Sequence, residues 1–278
     1  MISLAQRIGA LELALKREPK AEDFRLGLGN AWLEAGEWER AIKILSRVKK
    51  SPALAKKAAK AIAQAKAMGK ESRAPAPYVR HLFDQFADKY DAHMVEQLSY
   101  RAPSILRALA GFLGLGARGK LTILDLGCGT GLSGAAFADL AARIDGVDLS
   151  PRMLAAAKAS GFYARLACAD VEDFLAREKR RYDLILAADT LVYLGDLEAV
   201  FHGAASRLKD GGMFLFTVEK KPGKGYGLGN KRRYRHSEAY LRECAARAGL
   251  EAAGLIGCVP RMDSGKPVKG LALALQRI

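Results

Sequence analysis

The sequence predicts an α/β protein preceded by a small all-α segment. From residue 121 onward, short apolar runs alternate with amphipathic helical stretches, which is typical of a mostly parallel sheet covered by helices on both faces. Before residue 68, apolar residues recur at helical spacing throughout. A chain of 278 residues, half of them apolar, is long enough for one large domain and a small second one.

Four amphipathic helices are predicted within residues 1–68. Their apolar stripes start at Leu4, Phe24, Trp38 and Leu54, and the residues that interrupt them are Pro19, Gly36 and Pro52. The two helices joined at Gly36 resemble the tetratricopeptide repeat, through Leu28-Gly29-Asn30-Ala31-Trp32, Gly36-Glu37-Trp38 and Ala41. This resemblance implies a protein partner for residues 1–68; a helical cap or a dimer surface is the alternative.

Residues 69–77 form the predicted linker, because Gly, Pro, Ser and charged residues are concentrated there. Residues 78–278 form the second predicted domain, which begins with a helical lid over 78–120. Seven strands are predicted near 121–126, 144–148, 163–168, 182–188, 212–218, 252–258 and 270–276. Only a short turn separates the last two strands, so we expect an antiparallel hairpin to close the sheet.

The segment LTILDLGCGTGLSG, residues 121–134, is the central motif. An apolar strand ends at Asp125, and Gly127, Gly129 and Gly131 then let the backbone approach a ligand before a helix begins. A glycine turn between a strand and a helix predicts a Rossmann-like sheet that binds a nucleotide-containing ligand.

Acidic residues at three strand ends indicate what kind of ligand this is. Asp148 can accept hydrogen bonds from both hydroxyls of a ribose, and Asp170 can accept one from an exocyclic amino group. Asp125, two residues before the glycines, suits a ligand that bears an amine rather than a pyrophosphate. The spacing from Gly129 to Gly134 nevertheless fits G-x-G-x-x-G, so an NAD-dependent oxidoreductase remains an alternative.

The motifs of residues 78–276 together resemble the class I S-adenosylmethionine-dependent methyltransferases, in particular the small-molecule, methyltransferase-like group. The matching runs are 125–131, 148–154, 169–171 and 182–188. The resemblance implies S-adenosyl-L-methionine as cofactor, bound by Tyr90, Arg101, Asp125, Gly127, Cys128, Gly129, Gly131, Asp148, Leu149, Met153, Asp170, Val171 and Ala187. By this resemblance Asp148 would hold the ribose and Met153 would pack on the adenine. Tyr90 and Arg101 would close over the carboxylate end of the cofactor.

The candidate catalytic residues lie beyond the carboxyl ends of strands four and five, where ligands of such sheets bind. They are Asp189 and Tyr193 after strand four, and His236 in the loop of residues 220–240. Each could remove a proton from the acceptor, and His236 is the preferred base. Asp189 could instead cap the following turn, and His236 could be an ordinary loop residue. The basic residues and tyrosines of the loop could clamp an acidic or aromatic acceptor.

A small molecule is the favoured acceptor, and a protein docked by the helical repeats is second. Nucleic acid is disfavoured, because residues 188–191 read Ala-Asp-Thr-Leu where the amine methyltransferases of DNA carry Asn/Asp-Pro-Pro-Tyr/Phe. The chain also has no Cys-Pro pair for carbon-5 methylation of cytosine. A cofactor-binding sensor or adaptor without turnover remains a further alternative.

The net charge of +15 is concentrated at the two ends of the chain. Residues 1–75 and 219–278 each carry eight more basic than acidic residues, whereas 76–218 are nearly neutral. Such flanks attract anionic partners or are simply solvated. The four cysteines are scattered, and no apolar run reaches the roughly 20 residues of a membrane span. We therefore expect a reduced, cytoplasmic protein without a metal site or contact with a membrane.

Overall fold

The computed structural model describes residues 3–87, 90–92, 94, 98–118 and 120–278. Contacts within the chain divide it into two compact units, Met1–Gln85 and Phe86–Ile278. The predicted linker 69–77 lies inside the first unit. The functional division into 1–68, the linker and 78–278 remains a prediction.

Five helices make up the described part of the first unit, and the last of them ends one residue beyond its boundary, at Phe86. They are α1 (Leu4–Arg17), α2 (Glu22–Glu34), α3 (Trp38–Leu45), α4 (Pro52–Met68) and α5 (Ala76–Phe86). Ser3 opens α1 with a capping box, and the Ser51 side chain caps α4, which satisfies amides that a helix start leaves free. Gly36, between α2 and α3, has a φ of +70°, and a Cβ there would lie 2.5 Å from the backbone nitrogen of Tyr78. The predicted N-terminal helices are therefore confirmed.

Glu22, at the start of α2, holds the connection between α3 and α4. Its carboxylate accepts hydrogen bonds from the amides of Lys49, Lys50 and Ser51, at 2.6, 2.8 and 2.8 Å. These backbone donors hold the pKa of Glu22 below its ordinary value of 4.5. A lowered pKa means that the ionised carboxylate stabilises the folded state.

We expect Glu22→Gln to lower the melting temperature of the first unit at neutral pH, because the amide cannot accept all three hydrogen bonds. Because its pKa is lowered, the ionised Glu22 stabilises the fold at pH values above 4.5. This contribution is lost as the pH falls through the folded-state pKa. The difference between wild type and variant should therefore shrink in acid. Calorimetry across pH checks this, with Glu12→Gln at an exposed site of α1 as the control. Equal effects of the two substitutions would contradict the assignment.

The second unit is built on a twisted sheet with strand order β3-β2-β1-β4-β5-β11-β8. The strands are β1 (Leu121–Leu126), β2 (Ala141–Asp148), β3 (Arg165–Cys168), β4 (Tyr182–Ala187), β5 (Leu208–Lys220), β6 (Tyr226–Leu228), β7 (Tyr234–His236), β8 (Leu250–Cys258), β9 (Met262–Asp263), β10 (Lys266–Pro267) and β11 (Gly270–Arg277). The pairs from β3 to β5 are parallel, and β11 runs antiparallel to both β5 and β8. This is the predicted mostly parallel sheet with an antiparallel hairpin at its end.

Alternate residues of β1 and β4 enter two apolar cores, one on each face of the sheet. The helices of this unit are α6 (Tyr90–Ala92), α7 (Ala102–Phe112), α8 (Leu132–Phe137), α9 (Pro151–Ser160), α10 (Val171–Arg177), α11 (Glu198–Arg207) and α12 (Glu238–Arg247). Leu124 and Ile185 pack with residues of α10, α11 and α12, whereas Ile123 and Leu184 pack with residues of α7 and α8. Burial on both faces explains why these strands read as continuous apolar runs.

The strand order places a crevice at the carboxyl ends of β1 and β4. The chain passes from β1 to β2 and β3 on one side and then returns to β4 on the other side of β1. Ligands of open α/β sheets bind at such a switch point. Asp125 pairs in register with Leu186, so the two strands end side by side. The glycine motif and the candidates after strand four therefore meet at one edge of the sheet.

The segment 220–240, predicted as a loop, contains the short strands β6 and β7. They pair with each other, and β7 continues the sheet beside β5, with Arg235 opposite Glu219. This pairing is possible because β5 extends two residues beyond its predicted end, to Lys220.

His93 of the predicted lid lies outside the described residues. Within the described part of the chain, no helix is both long and apolar enough to cross a membrane.

Candidate active site

Three glycines with positive φ form the turn between β1 and α8. The φ angles of Gly127, Gly129 and Gly131 are +69°, +53° and +109°, values that side chains rarely adopt. A Cβ at Gly127 would lie 2.4 Å from the side chain of Thr190, and one at Gly131 would lie 2.9 Å from Ser160. No described atom lies within 4 Å of a Cβ built at Gly129. Gly129 therefore faces open space, as a backbone that approaches a ligand would.

Asp148 stands beside this turn at the end of β2. Its Oδ2 accepts a hydrogen bond from the Gly129 amide at 2.9 Å, and its Oδ1 accepts one from the Ser150 amide at 2.8 Å. Two backbone donors thus fix the carboxylate next to the open space at Gly129. Cys128 is buried within the turn, and its amide donates to the Val147 carbonyl at 3.0 Å. Burial raises the pKa of its thiol.

Asp125 is a completely buried carboxylate at the end of β1. Its Oδ2 accepts a hydrogen bond from the Tyr163 hydroxyl at 2.7 Å, whereas Oδ1 has no partner among the described residues. Burial is the main cause that raises the pKa of Asp125 from 3.8 to about 7, and the charge of Asp148 contributes. A buried acceptor without a partner is costly, so this oxygen is suited to a donor brought by a ligand.

Asp189 lies just beyond β4, at the other side of the crevice. Its φ is +58°, which is uncommon for a residue with a side chain. Its amide donates to the Thr217 hydroxyl at 2.8 Å, and its carboxylate is ion-paired with Arg261. Backbone strain of this kind persists only where surrounding contacts hold it, and it clusters at functional sites.

The segment predicted as a lid contacts both sides of the crevice. The Thr130 hydroxyl in the glycine turn donates to Asp91 of α6 at 2.5 Å, and the Tyr100 hydroxyl donates to the Ala188 carbonyl at 3.3 Å. Burial raises the pKa of the Tyr90 hydroxyl, with further contributions from the nearby Asp189 and other groups. Tyr90 therefore lies close to Asp189 and Tyr193, the candidates after strand four.

Tyr193 follows Asp189 in a short 3₁₀ turn and is almost fully buried. The guanidinium carbon of Arg233 lies 5.9 Å from the centre of its ring. Arg233 belongs to the segment between β6 and β7 that sequence reasoning treated as a clamp. The structure thus brings Arg233 of that segment next to Tyr193, beyond the end of β4.

His236, the preferred base, is completely buried. Its Nε2 bonds to the Gly195 carbonyl at 3.0 Å, and its ring stacks on Tyr240 at 5.9 Å. Burial lowers the pKa of His236 from 6.5 to about 4. The donor Nε2–H is thus used within the protein, and Nδ1 has no partner among the described groups. This placement favours a structural role, and a catalytic role for His236 remains only a prediction.

The other predicted cofactor residues differ in their exposure to solvent. Leu149 is half-buried beside Asp148, and Met153 and Ala187 are completely buried. The Asp170 side chain caps α10 by accepting from the Glu172 amide at 3.0 Å, and Val171 packs in the core. Arg101 is exposed, and its amide donates to the Pro260 carbonyl at 2.8 Å. Its closure over the cofactor remains a prediction.

Three residues of the site were missed by sequence reasoning, namely Tyr163, Thr217 and Arg261. Each acts through a partner that is distant in the sequence. A single signal could have found Tyr163: a carboxylate buried at Asp125 requires a donor from elsewhere in the fold. Local patterns carry no information on which residue supplies it.

Comparison with known proteins finds a matching family for two parts of the chain. Residues 123–212 match a family described as a methyltransferase domain, and residues 8–65 match one described as a tetratricopeptide repeat. The first match contains the glycine turn, Asp148 and Asp189. Two separate parts of the chain thus match these two families, and the resemblance seen in its motifs is confirmed.

Two curated relatives carry the name O-methyltransferase. A ubiquinone biosynthesis O-methyltransferase of Nitrobacter winogradskyi is 37% identical over 113 residues, which are 39% of this chain and 42% of that protein. A protein of the same name from Bradyrhizobium diazoefficiens is 32% identical over 118 residues, or 41% of this chain and 46% of that protein. The matches therefore span less than half of these relatives.

Solved structures share the fold. The 1,6-didemethyltoxoflavin-N1-methyltransferase of Burkholderia thailandensis, with bound 1,6-didemethyltoxoflavin and S-adenosylhomocysteine, gives a TM-score of 0.55 at 19% identity. The similarity covers 70% of this chain and 87% of that one. An S-adenosylmethionine-dependent methyltransferase of Clostridium acetobutylicum gives 0.52 at 18% identity, over 70% and 99% of the two chains. The predicted Rossmann-like fold class is therefore confirmed.

Proposed function

We propose that the protein is an S-adenosylmethionine-dependent methyltransferase that acts on a small molecule. The observation that carries the proposal is the cradle formed by Asp125, Gly129 and Asp148, within the segment that matches the methyltransferase domain. The names of the curated relatives favour a hydroxyl oxygen as the acceptor atom.

The residues at the crevice fit this cofactor. The unpartnered Oδ1 of Asp125 would accept from the amino group of its methionine part, and the open face of Gly129 allows close approach. The carboxylate of Asp148 would hold the ribose hydroxyls. Asp170 and Val171 follow β3 and would face the adenine edge. Tyr90 would cover the site from the lid.

The cofactor supplies a methyl group activated on a sulfonium sulfur. The chain must hold an acceptor oxygen in near-attack geometry and exclude water, which can contribute much of the rate. Asp189, just beyond β4, would receive the acceptor's proton as a carboxylate, with Tyr193 close to it in the chain. Arg233 beside Tyr193 would favour an acceptor with an acidic or aromatic group.

The helical segment and the cell compartment are secondary parts of the proposal. The tetratricopeptide-repeat match supports a protein partner for residues 1–68, and a protein acceptor docked there is the second candidate function. The four cysteines are free thiols, which supports action in the reducing cytoplasm.

We expect the purified protein to bind S-adenosylhomocysteine and to transfer labelled methyl groups from S-adenosylmethionine to the small-molecule fraction of a cell extract. Calorimetry measures binding. Asp148→Ala should weaken it, because the variant loses the carboxylate beside Gly129, whereas Asp210→Ala at an exposed site should not. Label in the protein fraction would favour the second candidate. Binding of NAD without binding of S-adenosylhomocysteine would refute the proposal.

A further inference from the structure

Arg261, between β8 and β9, is charged and yet only 1% exposed. A guanidinium is costly to bury unless anions pair with it. Its Nη1 donates to Oδ1 of Asp189, and its Nη2 donates to Oε1 of Glu219. Asp189 follows β4, and Glu219 lies near the end of β5. One side chain therefore bridges the two strand ends on the acceptor side of the crevice.

The backbone on both sides of Arg261 holds the lid. The Arg101 amide donates to the Pro260 carbonyl at 2.8 Å, and the Met262 amide donates to the Leu98 carbonyl at 2.7 Å. Between these two bonds, Tyr100 reaches the carbonyl of Ala188, the residue before Asp189. The lid segment 98–101 is thus fixed both to the strand end and to the residues that flank Arg261.

The ion pair between Arg261 and Asp189 also helps to hold the strained backbone conformation of Asp189. Its positive φ is held by the Thr217 hydroxyl at the amide and by Arg261 at the carboxylate. An aspartate in this conformation needs such contacts to keep one orientation. Loss of the Arg261 fork would leave two partly buried carboxylates without their cation and would free the Asp189 side chain.

We infer that Arg261 is a positioning residue, which anchors lid segment 98–101 over the sheet and sets the orientation of the Asp189 carboxylate. The part that concerns methyl transfer rests on the proposed function, whereas the anchoring of the lid does not. At its other end the lid contacts the glycine turn through Asp91 and Thr130. The predicted lid thus contacts the glycine turn through Asp91 and the end of β4 through Tyr100.

The test is Arg261→Lys, which keeps the positive charge but cannot bridge two carboxylates with a planar fork. The matched control is Arg165→Lys. Arg165, in β3, also approaches two carboxylates, Glu178 at 2.6 Å and Asp145 at 4.0 Å, but far from the carboxyl ends of the strands. Hydrogen exchange at the amides of Arg101 and Met262, and affinity for S-adenosylhomocysteine, are measured in both variants.

We expect Arg261→Lys to speed exchange at these two amides about tenfold, and to weaken S-adenosylhomocysteine binding, relative to the control. A purely structural role would lower the melting temperature and leave both readouts as in Arg165→Lys, which would overturn the inference. If Arg261→Lys does not fold, Asp189→Asn should speed exchange at the same amides, and unchanged exchange there would equally overturn it. Wild-type protein that binds no S-adenosylhomocysteine would refute the proposed function, while the exchange data would still decide the anchoring.

Discussion

Gly129→Ala is expected to remove most of the affinity for S-adenosylhomocysteine while the protein stays folded. Gly129 has a φ of +53°, so a side chain there costs about 1 kcal/mol in backbone strain. The added methyl group meets no described atom within 4 Å, so it does not clash inside the protein. It instead occupies the open space beside Asp148, where the cofactor would lie. Overpacking of this kind weakens binding by about ten- to a hundredfold.

Gly161→Ala is the matched control for this prediction. Gly161 ends α9 with a φ of +77°, and no described atom lies within 4 Å of a Cβ built there. Both variants should therefore lose a similar, small amount of thermal stability. Isothermal titration calorimetry should show a loss of affinity in Gly129→Ala alone. Equal affinities in the two variants would place the cofactor elsewhere and contradict the proposed cradle.

Gly127 offers a contrast within the same turn. A Cβ at this position would lie 2.4 Å from the side chain of Thr190, whose hydroxyl donates to the Leu126 carbonyl at 2.9 Å. Substitution there would disturb the junction of β1 and β4 itself. The three glycines of the motif thus look alike in the sequence, but the structure gives them different roles.

The elements of the fold that follow local patterns were predictable. The conformation of β1 and of its glycine turn follows from their own residues, because a strand buried on both faces must be apolar and a left-handed turn needs glycine. The four N-terminal helices are likewise specified by periodic apolar residues and by breakers such as Pro19 and Gly36. Strands β6 and β7 were missed because three-residue strands carry too short a pattern to recognise.

The contacts that complete the site were not predictable from the sequence. Tyr163 reaches Asp125 across 38 positions, and Arg261 reaches Asp189 across 72. Neither partner is marked by its neighbours in the chain, since the fold alone brings them together. His236 shows the same limit: a histidine in a glycine-rich basic segment predicts a base, and nothing in that segment indicates that Tyr240 and the Gly195 carbonyl contact its ring.

Asp125→Asn is expected to stabilise the unliganded protein above neutral pH and, at the same time, to weaken cofactor binding. Burial is the main cause that raises the pKa of Asp125 from 3.8 to about 7. The folded state therefore binds the proton more tightly than the unfolded state. The stability from this group is complete below 3.8 and is lost as the pH rises through about 7. The full loss is on the order of 4 kcal/mol, and asparagine removes it because it carries no charge.

Thermal unfolding of the unliganded protein across pH measures this effect. Wild type should lose stability between acid and neutral pH relative to Asp125→Asn. Tyr163→Phe is the companion variant. The hydrogen bond from Tyr163 lowers the pKa of Asp125, so its removal should shift the loss of stability to higher pH. Parallel stability curves for wild type and Asp125→Asn would show that the carboxylate does not titrate as described.

Cofactor binding should respond in the opposite direction to stability. The ionised Asp125 is the form that would bind the amino group of the cofactor, so wild-type affinity for S-adenosylhomocysteine should rise with pH through about 7 relative to Asp125→Asn. The ligand's own amine also titrates, but it affects binding to the wild type and to the variant alike. The difference in affinity between the two proteins therefore reports the ionisation of Asp125. Affinities that change in parallel would argue that the amine binds elsewhere. The cost of a buried carboxylate would then have no counterpart in cofactor binding, and Asp125 would be a structural partner of Tyr163 alone.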